Sequence, residues 1–480
     1  MAAIGSQYSV TVSSGFIDLS TYQELEGFIY GGANAITHFV AAVIKSNWFS
    51  VIPVPVRNLG TFDFNQKNVS VSINRSGDYV LNVWFNCKIP QIYLYQSGSI
   101  FLDATIRWTR NLMHNLMESV NITFNELVVQ QFDNFWLDFN FMFRVRGSKR
   151  IGYRTMIGDI ASMTTPVALD QPLGNGGYFS CVLPFFFGED SGIALPVAAL
   201  PFNDVKVNYN FRNWSELVVI YPGTSAVGGP SGPGTGAVAT TADVYVYGST
   251  TTKPSLVDPT TYCHYAIVHN DERVKMGDAP RDILMHQIQN TQRSQFRDFT
   301  SAATFDLRLS HSIVTFAFAA RNNTLASEWS NYTTEPNYAG LDPLAHAALI
   351  YENTTRLAMR SDYYSLVQPF FQHKAIPDET GYHIWSYALQ PWDPVCASGS
   401  TNYSALANVS MQYLPSPAAL ASMGSGTTSG GPEDQNGNPI QWPNSAGVLT
   451  NQIQTYQHIF AARSWNIGRV ANGSFGHPTL

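Results

Sequence analysis

Apolar and polar residues alternate with a period of two in several segments of the chain, as they do in strands that bury one face. Between residues 79 and 89 every odd position is apolar, and in 205–212 apolar residues alternate with Lys, Asn and Arg. Further strands are predicted at residues 243–247, 262–269, 305–309, 313–319 and 383–389. The pattern predicts a protein built mostly from β-strands, with antiparallel sandwiches as the simplest architecture.

Helical patterns are few and short. Residues 110–118 could form about two turns of helix. Residues 278–289 combine a capping Asp278, an early proline and apolar residues at helical spacing, which predicts a helix. Because this second segment lies near mid-chain, we expect it to connect two domains.

Length and composition support two domains with extensive contacts. The 480 residues exceed the roughly 250 to 300 at which single cores stop growing. Charged residues make up 13% of the chain, against roughly 25% in ordinary soluble domains, while aromatic residues reach 13%. Such a composition is typical either of subunit interfaces or of an unusually large β core, and the sequence leaves both open. Two Gly/Pro/Ser-rich segments, 222–241 and 423–439, are predicted to be long exposed loops.

Charge, cysteines and the amino-terminal residues exclude several classes of protein. The net charge of −7 and the absence of a Lys/Arg run argue against direct contact with nucleic acid. The four cysteines are far apart, without metal-ligand spacing or a dense disulfide pattern. The first residues lack a signal-peptide pattern, and no apolar run reaches the ~18 residues of a membrane span. We therefore expect a protein made in the cytosol, with no membrane-spanning segment.

Ser191 is the strongest candidate for chemistry. The surrounding GEDSG resembles the GDSGG nucleophile turn of serine proteases, but that signature has glycines after the serine where this chain has Gly192-Ile193-Ala194. Gly, Asp and Ser are also common turn formers, so a turn is the better interpretation. In CHYAIVHNDER (263–273), Cys263 and His264 point to opposite faces of a strand and cannot share a metal. We expect no enzyme activity, no metal and no cofactor.

A family resemblance appears when the segments are taken in order. In the first half it rests on RSGDYVLNVWF (75–85), TIRWTRNLMHNLMESVNITFNE (105–126), KRIGYRTMIGD (149–159) and LPFFFGEDSGIALP (183–196). In the second half it rests on SNYT (330–333), IYENTTRLA (350–358), SDYYSLVQPFF (361–371), IPDETGYHIWSYAL (376–389), GSTNYS (399–404) and NGSFGHP (472–478). These segments resemble the major capsid proteins of nucleocytoplasmic large DNA viruses, in particular the iridovirus and marseillevirus branch.

The resemblance implies an all-β chain of two tandem eight-stranded jelly-roll sandwiches with short helices. The implied division is a first jelly roll over 1–270, a connector helix over 271–295 and a second jelly roll over 296–480. It also implies a homotrimer of pseudo-hexagonal outline that contacts neighbouring capsomers, penton proteins and minor capsid proteins in an icosahedral virion assembled in host cytoplasm. An internal membrane beneath the shell and glycans on the outer loops are left open.

Aromatic side chains are the predicted functional residues of such a subunit. We predict that Phe185, Phe186 and Phe187, together with Trp108 and Trp136, are anchors of either the core or a subunit interface. The alternative from another class is a soluble carbohydrate-binding β-sandwich protein, in which exposed aromatic side chains stack on sugars.

Overall fold

The computed structural model describes residues 12–41, 43–96, 100–224, 237–278, 280–291, 295–296, 302–424, 431–444 and 446–477. The chain divides into one compact unit at Met1–Trp48 and another at Phe49–Leu480. The smaller unit contains helices α1 (Val12–Ser20) and α2 (Glu24–Ile29). Its apolar side chains, such as Phe28 and Phe39, are exposed in the single chain.

The first half of the larger unit is an eight-stranded jelly roll with additional short strands. Its strands are β1 (Phe49–Val56), β2 (Val69–Ser72), β3 (Tyr79–Lys88), β4 (Ile92–Leu94), β5 (Thr105–Trp108), β6 (Met117–Phe124), β7 (Leu127–Asp133), β8 (Val167–Ala168), β9 (Tyr178–Leu183), β10 (Val205–Phe211), β11 (Val218–Tyr221), β12 (Val244–Val246) and β13 (Val257–Val268). Two antiparallel sheets, β1-β13-β3-β9 and β2-β10-β6-β7, face each other. Strand β10 alternates buried and half-buried residues, as its sequence predicts.

Helices fill the connections of this first jelly roll. They are α3 (Leu112–Leu116), α4 (Asn134–Arg144), α5 (Gly147–Ile157) and α6 (Ala161–Thr164), with 3-10 turns at Phe186–Gly188, Ser191–Ile193, Val197–Ala199, Trp214–Glu216 and Thr241–Asp243. Helix α4 begins where the side chain of Asp133 accepts a hydrogen bond from the backbone N–H of Trp136, at 2.9 Å. This cap satisfies one of the free N–H groups of the first turn.

The second half repeats the architecture. Its strands are β14 (Arg281–Asn290), β15 (Gln295–Phe296), β16 (Ala303–Asp306), β17 (Ser312–Asn322), β18 (Leu344–Tyr351), β19 (Thr354–Arg360), β20 (His383–Ser386), β21 (Thr401–Asn402), β22 (Val409–Pro415), β23 (Gln441–Pro443), β24 (Leu449–Asn451), β25 (Tyr456–Ala471) and β26 (Ser474–Gly476). Helical segments are α7 (Asn270–Asp278), a π-helical turn at Tyr363–Val367, α8 (Gln368–Gln372), a 3-10 turn at Tyr403–Ala405 and α9 (Pro417–Ser422). The two main sheets have the orders β14-β25-β17-β20 and β16-β22-β18-β19.

Both halves have the same strand order. Numbering the eight main strands of each half along the chain gives sheets 1-8-3-6 and 2-7-4-5 in both cases. The hairpin between the fourth and fifth strands also repeats: Asn125 and Glu126 have positive φ in the first half, as do Glu352 and Asn353 in the second. A one-residue bulge follows each turn at the same offset. The predicted fold class, two tandem eight-stranded jelly rolls, is confirmed.

The apolar core of the first jelly roll extends across the boundary to one face of a sheet in the second jelly roll. On strand β17, Phe316 and Phe318 belong to the core of the second jelly roll. The intervening Ala317 and Ala319 belong to a core that extends through the first jelly roll. Small residues on this side allow the neighbouring elements to approach closely, so the sheet of β17 buries both faces.

The prediction of a helix over residues 278–289 is wrong. Helix α7 ends at Asp278, and Arg281–Asn290 is strand β14, paired along its length with β25. Ile283 and Met285 are buried with a period of two, and the long partner strand overrides the local helical preference. The predicted connector over 271–295 is therefore helical only in its first part, and the first strand of the second jelly roll lies before residue 296.

Most other predicted elements are present. The strands predicted near residues 79, 205, 243, 262, 313 and 383 are confirmed, with boundary shifts of a few residues, and the one predicted at 305–309 lies at Ala303–Asp306. The helix predicted at 110–118 is limited to Leu112–Leu116, because Met117 begins strand β6. The predicted loops at 222–241 and 423–439 lie partly outside the described residues. Within the described ranges, no helix combines the length and apolarity that crossing a bilayer requires.

Candidate functional site

Phe185, Phe186 and Phe187 lie in the connection that follows strand β9, and all three are buried. The Phe185 ring lies 5.3 Å from that of Phe132 on β7, within the first jelly roll. The Phe186 ring lies 6.4 Å from that of Phe475 on β26, in the second jelly roll. The run therefore joins the two jelly rolls through ring contacts inside one chain.

Trp108 and Trp136 are also buried in the single chain. Trp108, on β5, stacks on Phe64 with ring centroids 6.5 Å apart. Trp136 lies in the first turn of α4 and belongs to the same core. Burial of all five predicted aromatic residues favours the core over the interface as their place, although their role as anchors stays a prediction.

Ser191 begins a 3-10 turn and is exposed. The Asp190 side chain accepts a hydrogen bond from the backbone N–H of Gly192 at 2.7 Å. Arg281 of the second jelly roll donates to the carbonyl oxygen of Gly192, also at 2.7 Å. These contacts stabilise the segment as a turn, and Ser191 takes part in it as a turn residue.

Glu189, next to the phenylalanine run, is the centre of a buried charge cluster between the jelly rolls. Its carboxylate pairs with Arg463 of strand β25 and lies 3.6 Å from Arg144 of α4. Arg463 also donates to the carbonyl oxygen of Pro391 at 2.9 Å. The ring of His286 on β14 stands beside the pair, with Nδ1 2.7 Å from the Arg463 guanidinium.

The environment sets the protonation of this cluster. Burial alone would raise the pKa of Glu189, but the charge of Arg463, the hydrogen bond with His286 and the charge of Arg144 together outweigh burial and lower the pKa to about 2. Burial and the same Arg463 charge lower the pKa of His286 to about 4. His286 is therefore neutral at pH 7, and its Nδ1 lies within hydrogen-bonding distance of both Arg463, at 2.7 Å, and Glu189, at 3.2 Å. The charge on Glu189 is balanced mainly by Arg463.

A second buried cluster surrounds Asp138 on helix α4. Its carboxylate accepts hydrogen bonds from Asn111 at 3.1 Å and pairs with His114 at 2.8 Å, both in the first jelly roll. It also accepts from the hydroxyl groups of Ser330, at 2.6 Å, and Tyr332, at 3.2 Å, both in the second. Four polar contacts satisfy the buried carboxylate, and two of them come from the second jelly roll, so losing these two would leave a buried charge with only part of its hydrogen bonds.

Further ion pairs line the same boundary. Arg150 and Arg154 of α5 pair with Asp378 at 2.8 and 3.1 Å, and Arg154 also reaches Glu379 at 2.7 Å. These acidic residues precede strand β20. The boundary is thus fixed by charges with defined partners as well as by apolar packing.

Sequence reasoning missed these polar residues. A signal existed for Asp138, the one acidic residue in the aromatic-rich helix NFWLDFNFMFR, since a charge among apolar residues is rarely buried without partners. No signal in the sequence links it to Ser330, because the two residues are 192 positions apart.

Two strand edges are exposed in the single chain. Strand β19, at the edge of its sheet, is exposed at nearly every residue. Strand β1, at the edge of the sheet β1-β13-β3-β9, is exposed over its first five residues. Beside β1 a row of side chains crosses the outer face of that sheet in register, formed by Pro55, Tyr262, Trp84 and Val182. The Trp84 and Tyr262 rings stack at 5.4 Å.

Two tandem eight-stranded jelly rolls with the same strand order place the chain in the class of double jelly-roll proteins. Solved structures agree in fold: the PBCV-1 virus capsid matches with a TM-score of 0.68 at 17% identity, covering 92% of this chain and 100% of that one. The Faustovirus major capsid protein matches with a TM-score of 0.64 at 11% identity, covering 90% and 92%.

Sequence comparisons show the family. Residues 37–248 match the model "Major capsid protein N-terminus", and residues 272–476 match "Large eukaryotic DNA virus major capsid protein". The chain is 42% identical over 492 residues to the major capsid protein of Costelytra zealandica iridescent virus, covering 99% of this chain and 100% of the relative. It is 39% identical over 485 residues to that of Lymphocystis disease virus 1 (isolate Darai), covering 98% of each. The chain belongs to the major capsid proteins of large eukaryotic DNA viruses and is a component of the virion.

Proposed function

We propose that this capsid protein acts as a homotrimer whose three copies close into a ring of six jelly rolls, the pseudo-hexagonal capsomer. The observation that carries the proposal is the repeated hairpin at the edge of each jelly roll. In the first jelly roll this hairpin contacts the second jelly roll of the same chain, whereas in the second jelly roll it is exposed.

The hairpin of the first jelly roll contacts strand β14 of the second jelly roll, and the exposed hairpin of the second jelly roll has no equivalent contact among the described residues. Gln287 of β14 donates from its side chain to the carbonyl oxygen of Val129 on β7 at 3.0 Å. Gln130 of β7 donates to the carbonyl oxygen of His286 on β14 at 3.3 Å. The fifth strand of one jelly roll thus meets the first strand of the next.

The equivalent strands β19 and β1 have no such neighbour among the described residues of the larger unit, Phe49–Leu480. Arg356, at the bulge of β19, occupies the place that Val129 has in β7, and it is exposed whereas Val129 is buried. If β19 of one copy meets β1 of the next as β7 meets β14, each copy uses two different surfaces. Such heterologous contacts form a closed ring when the rotation between copies closes.

In this arrangement the outer surface of the trimer is left to contact other proteins of the shell. Neighbouring capsomers, penton proteins and minor capsid proteins are the proposed partners, with assembly in host cytoplasm and glycans on the outer loops as further proposals. The proposed role is structural rather than enzymatic, and Ser191 is a turn former in it. The capsid relatives span the whole chain, so the carbohydrate-binding alternative is not carried further.

Analytical ultracentrifugation tests the proposal. The purified protein is expected to sediment as a trimer at micromolar concentration. A charge on either proposed surface, Met359→Asp on β19 or Val51→Asp on β1, is expected to give monomers. Val448→Asp, at an exposed residue beside β24, is the matched control and is expected to stay trimeric. A monomeric wild type, or trimers in both surface variants, would contradict the proposal.

A further inference from the structure

A cavity of about 580 Å³ lies between the turn that joins α4 to α5, the end of strand β9 and the second jelly roll. Four basic side chains line it: Arg144, Arg146 and Lys149 of the first jelly roll, and Lys374 of the second. Its lining contains no carboxylate. A concentration of positive charge is unexpected in a chain whose net charge is −7.

The basic side chains are largely without counter-charges. Arg144 lies 3.6 Å from Glu189, but that carboxylate is paired with Arg463. Across the described ranges, Arg146, Lys149 and Lys374 have no ion-pair partner within 4.0 Å. Burial and the nearby charges of Arg144 and Arg146 lower the pKa of Lys374. The cavity thus has a positive potential that an anion would relieve.

Neutral polar groups complete the lining. Asn82 and Asn140 contribute amides. The side-chain oxygen of Asn140 is buried and has no hydrogen-bond partner among the described residues. The oxygens of a hydrogen phosphate group can accept hydrogen bonds from the basic side chains, and its O–H can donate a hydrogen bond to this amide oxygen. Arginine matches phosphate oxygens with two parallel N–H groups, and lysine adds a point charge.

We propose that this cavity binds an oxyanion of the phosphate class, either free or carried on a larger molecule. The site is complete within one chain, so it does not depend on the proposed trimer. Its volume exceeds that of a single phosphate, which favours a ligand with several charged groups.

Isothermal titration calorimetry of the purified protein with tripolyphosphate, inorganic phosphate and ATP tests the proposal. Saturable binding of tripolyphosphate is expected. Comparable binding of ATP would assign recognition to the phosphates alone, and tighter binding of ATP would indicate that the cavity also holds the rest of the molecule; either result supports a phosphate site.

The variant Arg146→Gln/Lys149→Gln removes two exposed charges of the cavity and is expected to weaken tripolyphosphate binding by about tenfold or more. The matched control, Lys275→Gln/Arg308→Gln, removes two exposed charges outside the cavity lining and is expected to bind like the wild type. Absence of saturable binding in the wild type, or an equal loss in both double variants, would overturn the proposal.

Discussion

Ser330 of the second jelly roll donates a hydrogen bond of 2.6 Å to the buried carboxylate of Asp138 in the first. Neither residue contributes to an exposed surface, so the bond connects the two jelly rolls from inside. Replacing Asp138 by Ala would leave several buried donors without an acceptor. We expect the free energy of unfolding to fall by about 3 kcal/mol or more, measured by denaturant or thermal unfolding. Ser330→Ala is expected to cost about 1 kcal/mol; equal effects of the two changes would contradict the central place of the carboxylate.

The buried pair of Glu189 and Arg463 predicts that removing one charge of the pair destabilises the chain more than removing both. Arg463→Met leaves a carboxylate buried without its main partner, which we expect to destabilise the chain by about 3 to 5 kcal/mol. Adding Glu189→Gln removes the unpaired charge, so the double variant is expected to be more stable than Arg463→Met alone. A double-mutant cycle of unfolding free energies measures the coupling, and additive effects would show that the pair is not coupled.

Three histidines whose pKa values are strongly lowered predict that the folded chain is sensitive to acid. Burial lowers the pKa of His286 to about 4 and the pKa values of His373 and His458 to about 3. The unfolded chain takes up these protons near pH 6.5, whereas the folded chain does not. Stability is therefore complete above pH 6.5 and falls as the pH decreases toward 4. At pH 5 each histidine is expected to cost about 2 kcal/mol relative to pH 7.

His458 offers a direct test, because neither ring nitrogen has a hydrogen-bond partner among the described residues and its ring stacks on Phe305 at 4.2 Å. His458→Phe keeps a ring at this place and removes the titrating group. The difference in unfolding free energy between pH 7 and pH 5 is expected to shrink. His269→Phe, at an exposed histidine, serves as the control, and an unchanged pH dependence in His458→Phe would count against burial as the cause.

The phenylalanine run and Ser191 are expected to respond differently to alanine. Phe186→Ala removes a fully buried ring between Phe187 and Phe475 and is expected to cost about 3 to 5 kcal/mol. Ser191→Ala changes an exposed turn residue and is expected to stay within about 0.5 kcal/mol of the wild type. Thermal unfolding compares the two. A large loss of stability in Ser191→Ala would show that the turn interpretation is incomplete.

Mixing experiments sharpen the ring proposal. The Met359→Asp variant keeps an intact β1 surface, and Val51→Asp keeps an intact β19 surface. If the two surfaces are complementary, an equimolar mixture is expected to contain heterodimers, because one good contact remains possible. Native mass spectrometry detects them by mass when one variant is isotope-labelled. A mixture that stays monomeric would argue against direct pairing of these two surfaces.

The sequence predicted those elements whose burial depends on local pattern. Strand β10 was predicted because its inward side chains are apolar at every second position. Strand β14 was not, because Ile283, Leu284 and Ile288 fit a helix as well as a strand, and the deciding partner β25 lies far along the chain. The phenylalanine run was identified from its composition, whereas the Glu189–Arg463 pair spans 274 positions. Pairings of this kind depend on the fold and carry no local signal.

The buried clusters between the jelly rolls have a consequence for assembly at low concentration. Because Asp138 and Glu189 bind partners from the other half of the same chain, the joining of the two halves is intramolecular and independent of protein concentration. In a closed ring of three copies, half of the six junctions would already exist in each newly folded chain. Dilution could then separate copies from one another, while each copy would keep its own junction and remain ready to assemble again.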